Sequence, residues 1–338
     1  MSIIHKMGIE IIGNGISAHL AALKYIETPL KWDRQDDYFT LPMSSTLDLI
    51  PFLKDSIDIE YKDFPDFNAI PKTGVRKTNF GCNDFYSNFT APYVAMHFDS
   101  WSFNNYIYKD LNIKEAKDTD YTIQTKKPVV DNSYNLITVP VNAAIGIRIP
   151  NKSKRTYTHL VAEEHGWVQI IPTYNYIYIY YVYNKNITST EEIKDYFKVF
   201  KQDYFHAMDF NSYYKKDPFQ DNYLHLGLNA FFIEPFDATS LSGALRLLDL
   251  SQDIMNKTIK KDHALFLYND YIKEALEVLM LHYVSKVPFN SEFWNRANDI
   301  ATDYLIDNKH VIREPSNFYS KEGFNRLYEK LGLSSYIQ

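Results

Sequence analysis

The stretch Gly8-Ile9-Glu10-Ile11-Ile12-Gly13-Asn14-Gly15-Ile16-Ser17-Ala18-His19-Leu20-Ala21-Ala22-Leu23-Lys24-Tyr25 decides the fold. Its first five residues read as a short buried strand, and the Ala- and Leu-rich run from His19 to Tyr25 reads as a helix. Between them Gly13 permits a tight turn, Gly15 lets backbone approach a pyrophosphate, and Ala18 is small enough for close helix–strand packing. The helix N-terminus offers unpaired N–H groups and partial positive charge to phosphate, with Ser17 as a further contact. Leu30-Lys31-Trp32-Asp33 reads as the second strand and completes the start of a βαβ unit. Asp33 falls 20 residues after Gly13, where a ribose-binding carboxylate is expected. It reads equally as a surface acid in the charged run of Asp33, Asp36 and Asp37.

Further along, residues 45–53 read as a helix capped by Ser44 or Ser45. Residues 75–80, 93–98, 120–125 and 136–140 are strand candidates, and 101–110 is an amphipathic helix. The Tyr-, Ile- and Val-rich run 174–183 suggests a strand covered on both faces. Ser189-Thr190-Glu191-Glu192 is a capping box for a helix to about residue 201. After residue 238 the chain turns helical, over 239–257, 262–286, 291–307 and 320–332. The expected fold class is therefore α/β, a Rossmann-like (βαβ) nucleotide-binding part with a mixed sheet and a helical C-terminal subdomain. The expected boundary is soft: residues 1–236 form the α/β part, and residues 237–338 pack back on it as helices.

Composition narrows the functional classes. The chain has 338 residues, 45% of them hydrophobic, enough for a substantial core. A net charge of −6 gives no support for nucleic-acid or acidic-membrane binding. The single cysteine, Cys82, excludes an intramolecular disulfide and suits a reducing compartment, so a cytoplasmic location is expected. The N-terminus lacks a signal-peptide pattern, and no apolar run is long enough to span a membrane. The 28 Tyr and 22 Phe fit either an AT-rich genome or functional aromatic enrichment. His97, His225 and His282 make no metal-ligand pattern, and no nucleophile elbow is present, so neither metal nor serine chemistry is expected.

Four further segments resemble the flavin-dependent tryptophan halogenases. Ile70-Pro71-Lys72-Thr73-Gly74-Val75-Arg76 looks like the strand carrying that family's catalytic lysine. Gly166-Trp167-Val168-Gln169-Ile170-Ile171-Pro172 is similar to its Gly-Trp-x-Trp-x-Ile-Pro signature, with Gln169 replacing the second Trp. Glu234-Pro235-Phe236-Asp237-Ala238-Thr239-Ser240 resembles its Glu-Pro-Leu-Glu-Ser-Thr segment, with Asp237 for the glutamate. Tyr268-Asn269, His282-Tyr283 and Phe293-Trp294 resemble landmarks of its C-terminal helices. The family's flavin-loop Gly-Glu-Ala-Thr is not recognisable near Met43-Ser44-Ser45-Thr46, and the chain is shorter than typical members.

The resemblance implies an FAD-dependent enzyme in which FADH2, O2 and a halide (chloride, bromide or iodide) give hypohalous acid. That oxidant is guided to an electron-rich aromatic substrate by Lys72 and Asp237. Lys72 hydrogen-bonds the oxidant or, as a neutral amine, forms a haloamine, or else it stands as a solvated Lys beside Arg76 and Lys77, with Lys77 the less favoured alternative lysine. Asp237 accepts from the oxidant and takes the ring proton, or caps the next helix. Thr239 and Ser240 hold halide through backbone amides, or merely cap. Leu241 joins Gly13, Gly15, Ser17, Ala18 and Asp33 at the cofactor. Trp167 walls the substrate from the flavin or is core, with Ile171, Pro172, Phe85, Tyr86 and Phe89 along the tunnel. A separate flavin reductase is the implied partner, and the oligomeric state stays open. A flavin monooxygenase and a non-catalytic FAD-binding remnant are the competing classes.

Overall fold

The computed structural model describes residues 7–35, 41–81, 84–89, 94–201, 205–236, 238–308 and 321–333. The opening stretch forms β1 (Ile9–Ile12) and α1 (Ile16–Lys24), followed by β2 (Leu30–Trp32). β1 pairs in parallel with β2, Ile9 opposite Leu30, so α1 is the crossover of a βαβ unit.

Next come β3 (Pro42–Ser44), α2 (Leu49–Ile57), β4 (Ile70–Lys72), β5 (Gly74–Thr78), β6 (Phe85–Asn88), β7 (Ala95–Asp99) and α3 (Ser100–Asp110). α2 corrects the sequence expectation, because it starts later and its N-cap is Asp48. Ser44 still belongs to β3 and lies opposite His97. Ser45 is tied to β7, its N–H donating to Met96 O at 2.9 Å and its Oγ accepting from Met96 N at 2.9 Å. Both serines are thus committed to the sheet.

The remaining strands are β8 (Tyr121–Gln124), β9 (Tyr134–Ile137), β10 (Ala143–Pro150), β11 (Tyr157–Glu163), β12 (Gly166–Pro172) and β13 (Tyr176–Tyr183), then, after α4 (Thr190–Phe197), β14 (His206–Asp209), β15 (Ser212–Lys215), β16 (Tyr223–His225) and β17 (Phe231–Phe232). α4 starts at the expected capping box, Ser189 N donating to Glu192 Oε2 at 2.9 Å and Glu192 N to Ser189 Oγ at 3.3 Å. Among the described residues four helices follow: α5 (Thr239–Met255), α6 (Lys261–Tyr283), α7 (Glu292–Asp307) and α8 (Lys321–Leu331).

Among the described residues four sheets organise the strands, in the orders β16-β8-β1-β2, β14-β10-β13-β12-β11-β5-β6, β17-β15-β9 and β3-β7-β4. The first is parallel throughout. In the second, β13 lies between β10 and β12, antiparallel to both. Tyr178, Tyr180 and Val182 point into the main core, while Ile179, Tyr181 and Tyr183 pack with Ile193 and Phe197 of α4. Burial on both faces explains why this strand reads as a continuous apolar and aromatic run, each fully buried side chain contributing about 1.5–3 kcal/mol. The main core runs from Ile9 to Leu333 and takes in α5 and α6, so the helices after residue 238 share the hydrophobic cluster of the sheets. Among the described residues no helix is long and apolar enough to cross a membrane.

Candidate active site

The glycine turn joins β1 to α1. Gly13 has φ +124°, and a Cβ there would fall 2.1 Å from Thr125 Oγ1. Thr125 is pinned in turn, its N–H and Oγ1 both donating to Ile12 O at 2.9 and 3.0 Å. Trp32 Nε1 donates to Gly13 O at 2.8 Å, which ties the end of β2 to the turn. Gly15 is the N-cap of α1; among the described residues a Cβ on it would meet nothing within 4 Å, and no described side chain caps the helix. This combination, a helix N-terminus without a described side-chain cap and a glycine whose Cβ position meets no described atom, fits a phosphate-bearing cofactor. Ala18 is fully buried, as close packing on the strand requires. Ser17 sits against Gly227, where a Cβ would approach Ser17 Oγ to 2.0 Å. Asp33 is exposed just beyond β2, while Asp36 and Asp37 lie outside the described residues. His19 Nδ1 donates to Gly15 O at 3.1 Å, and burial lowers its pKa to about 4, so the ring is neutral.

A cavity of about 320 Å³ lies elsewhere, between the sheets and the C-terminal helices. Lys72 and Val75 enter it from β4 and β5, and Phe89 from just after β6. Glu234, Phe236 and Ala238 come from the segment before α5, and Thr239 and Ser242 from α5 itself. Ala275, Val278 and Leu279 of α6 complete an apolar side, their spacing placing them on one helix face. Thr46, Leu47 and Asp48, from the short connection between β3 and α2, close another edge.

Lys72 is 5% exposed. Its Nζ donates to Ser45 O at 3.1 Å and lies 5.4 Å from the centre of the Phe89 ring. It is therefore a buried ammonium at the cavity wall, not a solvated one. His97 is fully buried nearby; burial, and then the Lys72 charge, hold its pKa well below the usual imidazole value. His97 Nε2 pairs with Thr158 Oγ1 at 2.8 Å, which leaves it a structural role.

α5 begins at this cavity. Its N-cap is Ala238, and no described side chain caps it. The first intrahelical bond there is Ser242 N to Ala238 O at 3.3 Å, so the amides of Thr239, Ser240 and Leu241 precede it. Thr239 O accepts from Tyr271 OH at 2.6 Å, which fixes the first turn. The side chain of Leu241 is in the core. Asp237 lies outside the described residues.

The tunnel residues expected from the sequence fare differently. Phe89 lines the cavity, whereas Trp167, Ile171, Pro172, Phe85 and Tyr86 are not among its described walls. Trp167 is fully buried behind the wall, its ring 5.0 Å from that of Phe236, and its Nε1 donates to Tyr283 OH at 3.0 Å. Ile171 and Pro172 are committed to pairing with Tyr178 and Ile177. Phe85 and Tyr86 belong to the edge strand β6, where Tyr86 is 40% exposed. Gln169, in place of the second Trp, donates from Nε2 to Pro235 O at 3.1 Å and so holds the segment between Glu234 and Phe236.

Two features escaped the sequence, and a third, Lys77, was weighed there only as the less favoured alternative to Lys72. Glu234 is 3% exposed on the cavity wall, and Tyr283 OH lies 3.1 Å from both of its oxygens. Lys77 is also buried, hydrogen-bonded to Nε2 of His282 and 5.1 Å from the Phe236 ring. The His282 Nδ1–H donates to Val278 O at 2.7 Å, which leaves Nε2 to accept from Lys77. The connection 46–48 was read as part of a helix. Glu234 was legible to the extent that it opens the quoted Glu-Pro motif. Among the described residues no group of three His, Cys, Asp or Glu could hold a metal.

The tryptophan halogenase family model matches residues 122–330, more than half of the chain. No curated protein matches it. A flavin-dependent halogenase from Brevundimonas sp. BAL3 superposes with a TM-score of 0.79 at 13% identity, over 97% of this chain and 90% of that one. A tryptophan halogenase from Shewanella frigidimarina gives 0.78 at 14% identity, over 98% and 90%. A tryptophan 6-halogenase from Streptomyces toxytricini gives 0.77 at 14%, over 97% and 90%. These likenesses are likenesses of fold.

Proposed function

Because the chain belongs to the tryptophan halogenase family, we propose that it is an FADH2-dependent halogenase acting on a small electron-rich aromatic substrate. Lys72 and Asp237 guide the oxidant. The observation that carries this reading is the buried Lys72 ammonium on the wall of a cavity of about 320 Å³. That volume is at the low end for small-molecule sites, which suits one or two aromatic rings.

When bound, FAD supplies the electrons that let O2 convert halide into hypohalous acid. Gly13, Gly15, Ser17 and Ala18 would hold its phosphates at the start of α1, with Asp33 toward the ribose and Leu241 toward the far end. The amides of Thr239 and Ser240 attract halide, since nothing described caps that helix N-terminus. Lys72 donates to the hypohalous oxygen and so polarises the O–halogen bond toward the arene. Its Nζ is held by the bond it donates to Ser45 O. Val75, Phe89, Val278 and Leu279 exclude water and so limit loss of the oxidant. Asp237, between the cavity residues Phe236 and Ala238 in sequence, accepts a hydrogen bond from the oxidant. A separate flavin reductase delivers the reduced cofactor.

The test is incubation of the protein with FAD, NADH, a flavin reductase, O2 and each halide, with a panel of electron-rich arenes scanned by mass spectrometry. Catalase and Lys72→Ala controls run beside it. Halogenated arene from wild type and none from Lys72→Ala is the expected result. Hydroxylated product independent of halide would instead establish a monooxygenase, and bound FAD without turnover a binding protein.

A further inference from the structure

The cavity rim carries a charged group that the chemistry above leaves unused. Asp48, from the connection between β3 and α2, is an exposed lining residue. It is the N-cap of α2 by position, but its backbone is already helical, at φ −77° and ψ −25°, and its side chain makes no capping bond. The carboxylate turns away from its own helix instead. One oxygen accepts from Thr46 Oγ1 and the other from Ser242 Oγ, the latter at 3.0 Å. Thr46 lines the cavity from the connection and Ser242 from α5, so the carboxylate sits where those two walls meet. Two hydroxyl donors fill about half of the roughly four acceptor positions of a carboxylate. Among the described residues no Lys, Arg or His forms an ion pair with it.

The other charged groups of the described lining have work elsewhere. Lys72 serves the oxidant, its Nζ held by Ser45 O at 3.1 Å, and Glu234 accepts from Tyr283 OH. No Arg or His is among the described lining residues. Ser45 and Asp48 are three residues apart, so their Cα atoms are separated by at most about 11 Å. A small molecule can therefore reach both ends of this connection at once. Val75, Phe89, Val278 and Leu279 give an aromatic ring apolar surface to pack on.

We propose that the substrate is an arene with a short ammonium arm, an arylalkylamine, and that Asp48 is the residue that selects it. The assignment rests on the halogenase reading above and narrows its substrate. The ring packs among the apolar residues beside Lys72, and the ammonium sits at the rim against Asp48. There water still hydrates the N–H groups that the carboxylate does not reach, so the charge is not stranded in apolar lining. The arm also keeps two cations apart, since Lys72 is tied to Ser45 O while the Asp48 carboxylate turns to α5. An aryl carboxylate at the same rim meets a like charge, which selects against it. An amino acid would bring a carboxylate for which the described lining holds no side-chain cation besides Lys72. The α5 amides, the other groups that attract an anion, hold halide in the same reading.

The experiment reads binding apart from turnover. With FAD present and no reductant, the full chain is titrated calorimetrically with one indole ring bearing an ethylamine, an ethyl or a propionate arm (tryptamine, ethylindole and indolepropionate). Wild type should bind the amine about tenfold more tightly than either of the others, the scale of one hydrogen bond between charged groups. Asp48→Asn should bring the amine down to the affinity of ethylindole, while ethylindole binds as it does to wild type, which shows that the cavity has kept its shape. Asp48→Glu should recover part of the preference. The carboxylate does not cap α2, so Asp48→Asn is expected to fold; should it not, the three probes on wild type still test the proposal. Equal affinity of wild type for the amine and ethylindole would overturn it, as would an amine preference that survives Asp48→Asn. Tightest binding of indolepropionate would overturn it too and give the α5 amides to the substrate. Turnover with reductase, O2 and halide then separates the two readings. An amine preference without halogenated product sinks the halogenase and leaves the ligand class. Halogenation of ethylindole and tryptamine with equal kcat/KM sinks the ligand class and leaves the halogenase.

Discussion

The glycine turn and the Lys72 cavity are built on opposite principles. The turn is local, since Gly13, Gly15 and Ala18 lie within one strand–helix junction and their backbone geometry sets its shape. Its partners, Trp32 and Thr125, only hold what the glycines make possible. The cavity is assembled from β4, β5, the connection before α2, the start of α5 and the middle of α6, which meet only when the whole core has formed. A local site depends on conformational freedom at single residues, and an assembled one depends on packing. Each is therefore expected to fail in its own way.

The largest separation should come from Lys72. Lys72→Ala, and Lys72→Met to retain the packed stem, are expected to lower arene halogenation by about 10²–10⁴-fold, the range for losing a positioned proton donor. FAD affinity, measured by fluorescence titration, should stay at the wild-type value, because the turn lies on another sheet. Parallel loss of FAD binding would break the comparison and make the two regions one site.

Substitutions in the turn should do the reverse. Gly13→Ala forces a side chain into a positive-φ conformation and against Thr125 Oγ1, so a loss of about 3 kcal/mol in stability is expected, with weakened FAD binding. Gly15→Ala places a methyl group where no described atom lies within 4 Å, at φ −74°, which any residue tolerates. Its melting temperature should change little, with a stability cost within about 1 kcal/mol, while FAD affinity still falls. Thermal denaturation and FAD titration of this pair distinguish a glycine needed by the fold from one needed by the ligand. Wild-type affinity in Gly15→Ala would remove the phosphate assignment.

The same contrast explains what the sequence disclosed. The turn was legible because a short window contains every residue that shapes it. Lys72 and the α5 start were legible through the resemblance, although the family match begins at residue 122 and leaves both the turn and Lys72 outside it. Glu234 was legible only as the opening of a motif, because its orientation depends on Tyr283, 49 residues further on, and that hydroxyl in turn on Trp167, which reads as a tunnel wall or as core. Ala275, Val278 and Leu279 carry the spacing of any buried helix face, and nothing in that spacing says that the face meets a cavity. Thr46 to Asp48 were absorbed into a helix expectation because the tie of Ser45 to Met96 is a long-range fact. Phe85 and Tyr86 show the opposite error, since nearness to Lys72 in sequence did not bring them to the cavity across the β5–β6 turn.

The smallest expected effect probes the assembled half from behind. Glu277 lies on α6, between residues that line the cavity, but is itself buried away from it at 4% exposure. Burial, the dominant cause, raises its pKa from 4.5 to about 7; Lys273 opposes the shift and Glu274 adds to it. The folded state therefore binds this proton more tightly than the unfolded chain does. Below pH 4.5 both states are protonated and the group is neutral to stability. Between pH 4.5 and about 7 the unfolded chain releases the proton first, so stability falls as pH rises, and above that window the full penalty is present. At about 1.4 kcal/mol per pKa unit, the penalty is on the order of 2 kcal/mol once relaxation around a buried carboxylate is allowed for. Glu277→Gln removes the titration while keeping the shape. Its melting temperature should match wild type at pH 4.5 and exceed it by a few degrees at pH 8, with FAD affinity unchanged. A variant less stable than wild type at pH 8 would mean that the carboxylate is held by favourable partners in the helical layer, and that the cavity's far wall is anchored by charge and not by burial alone.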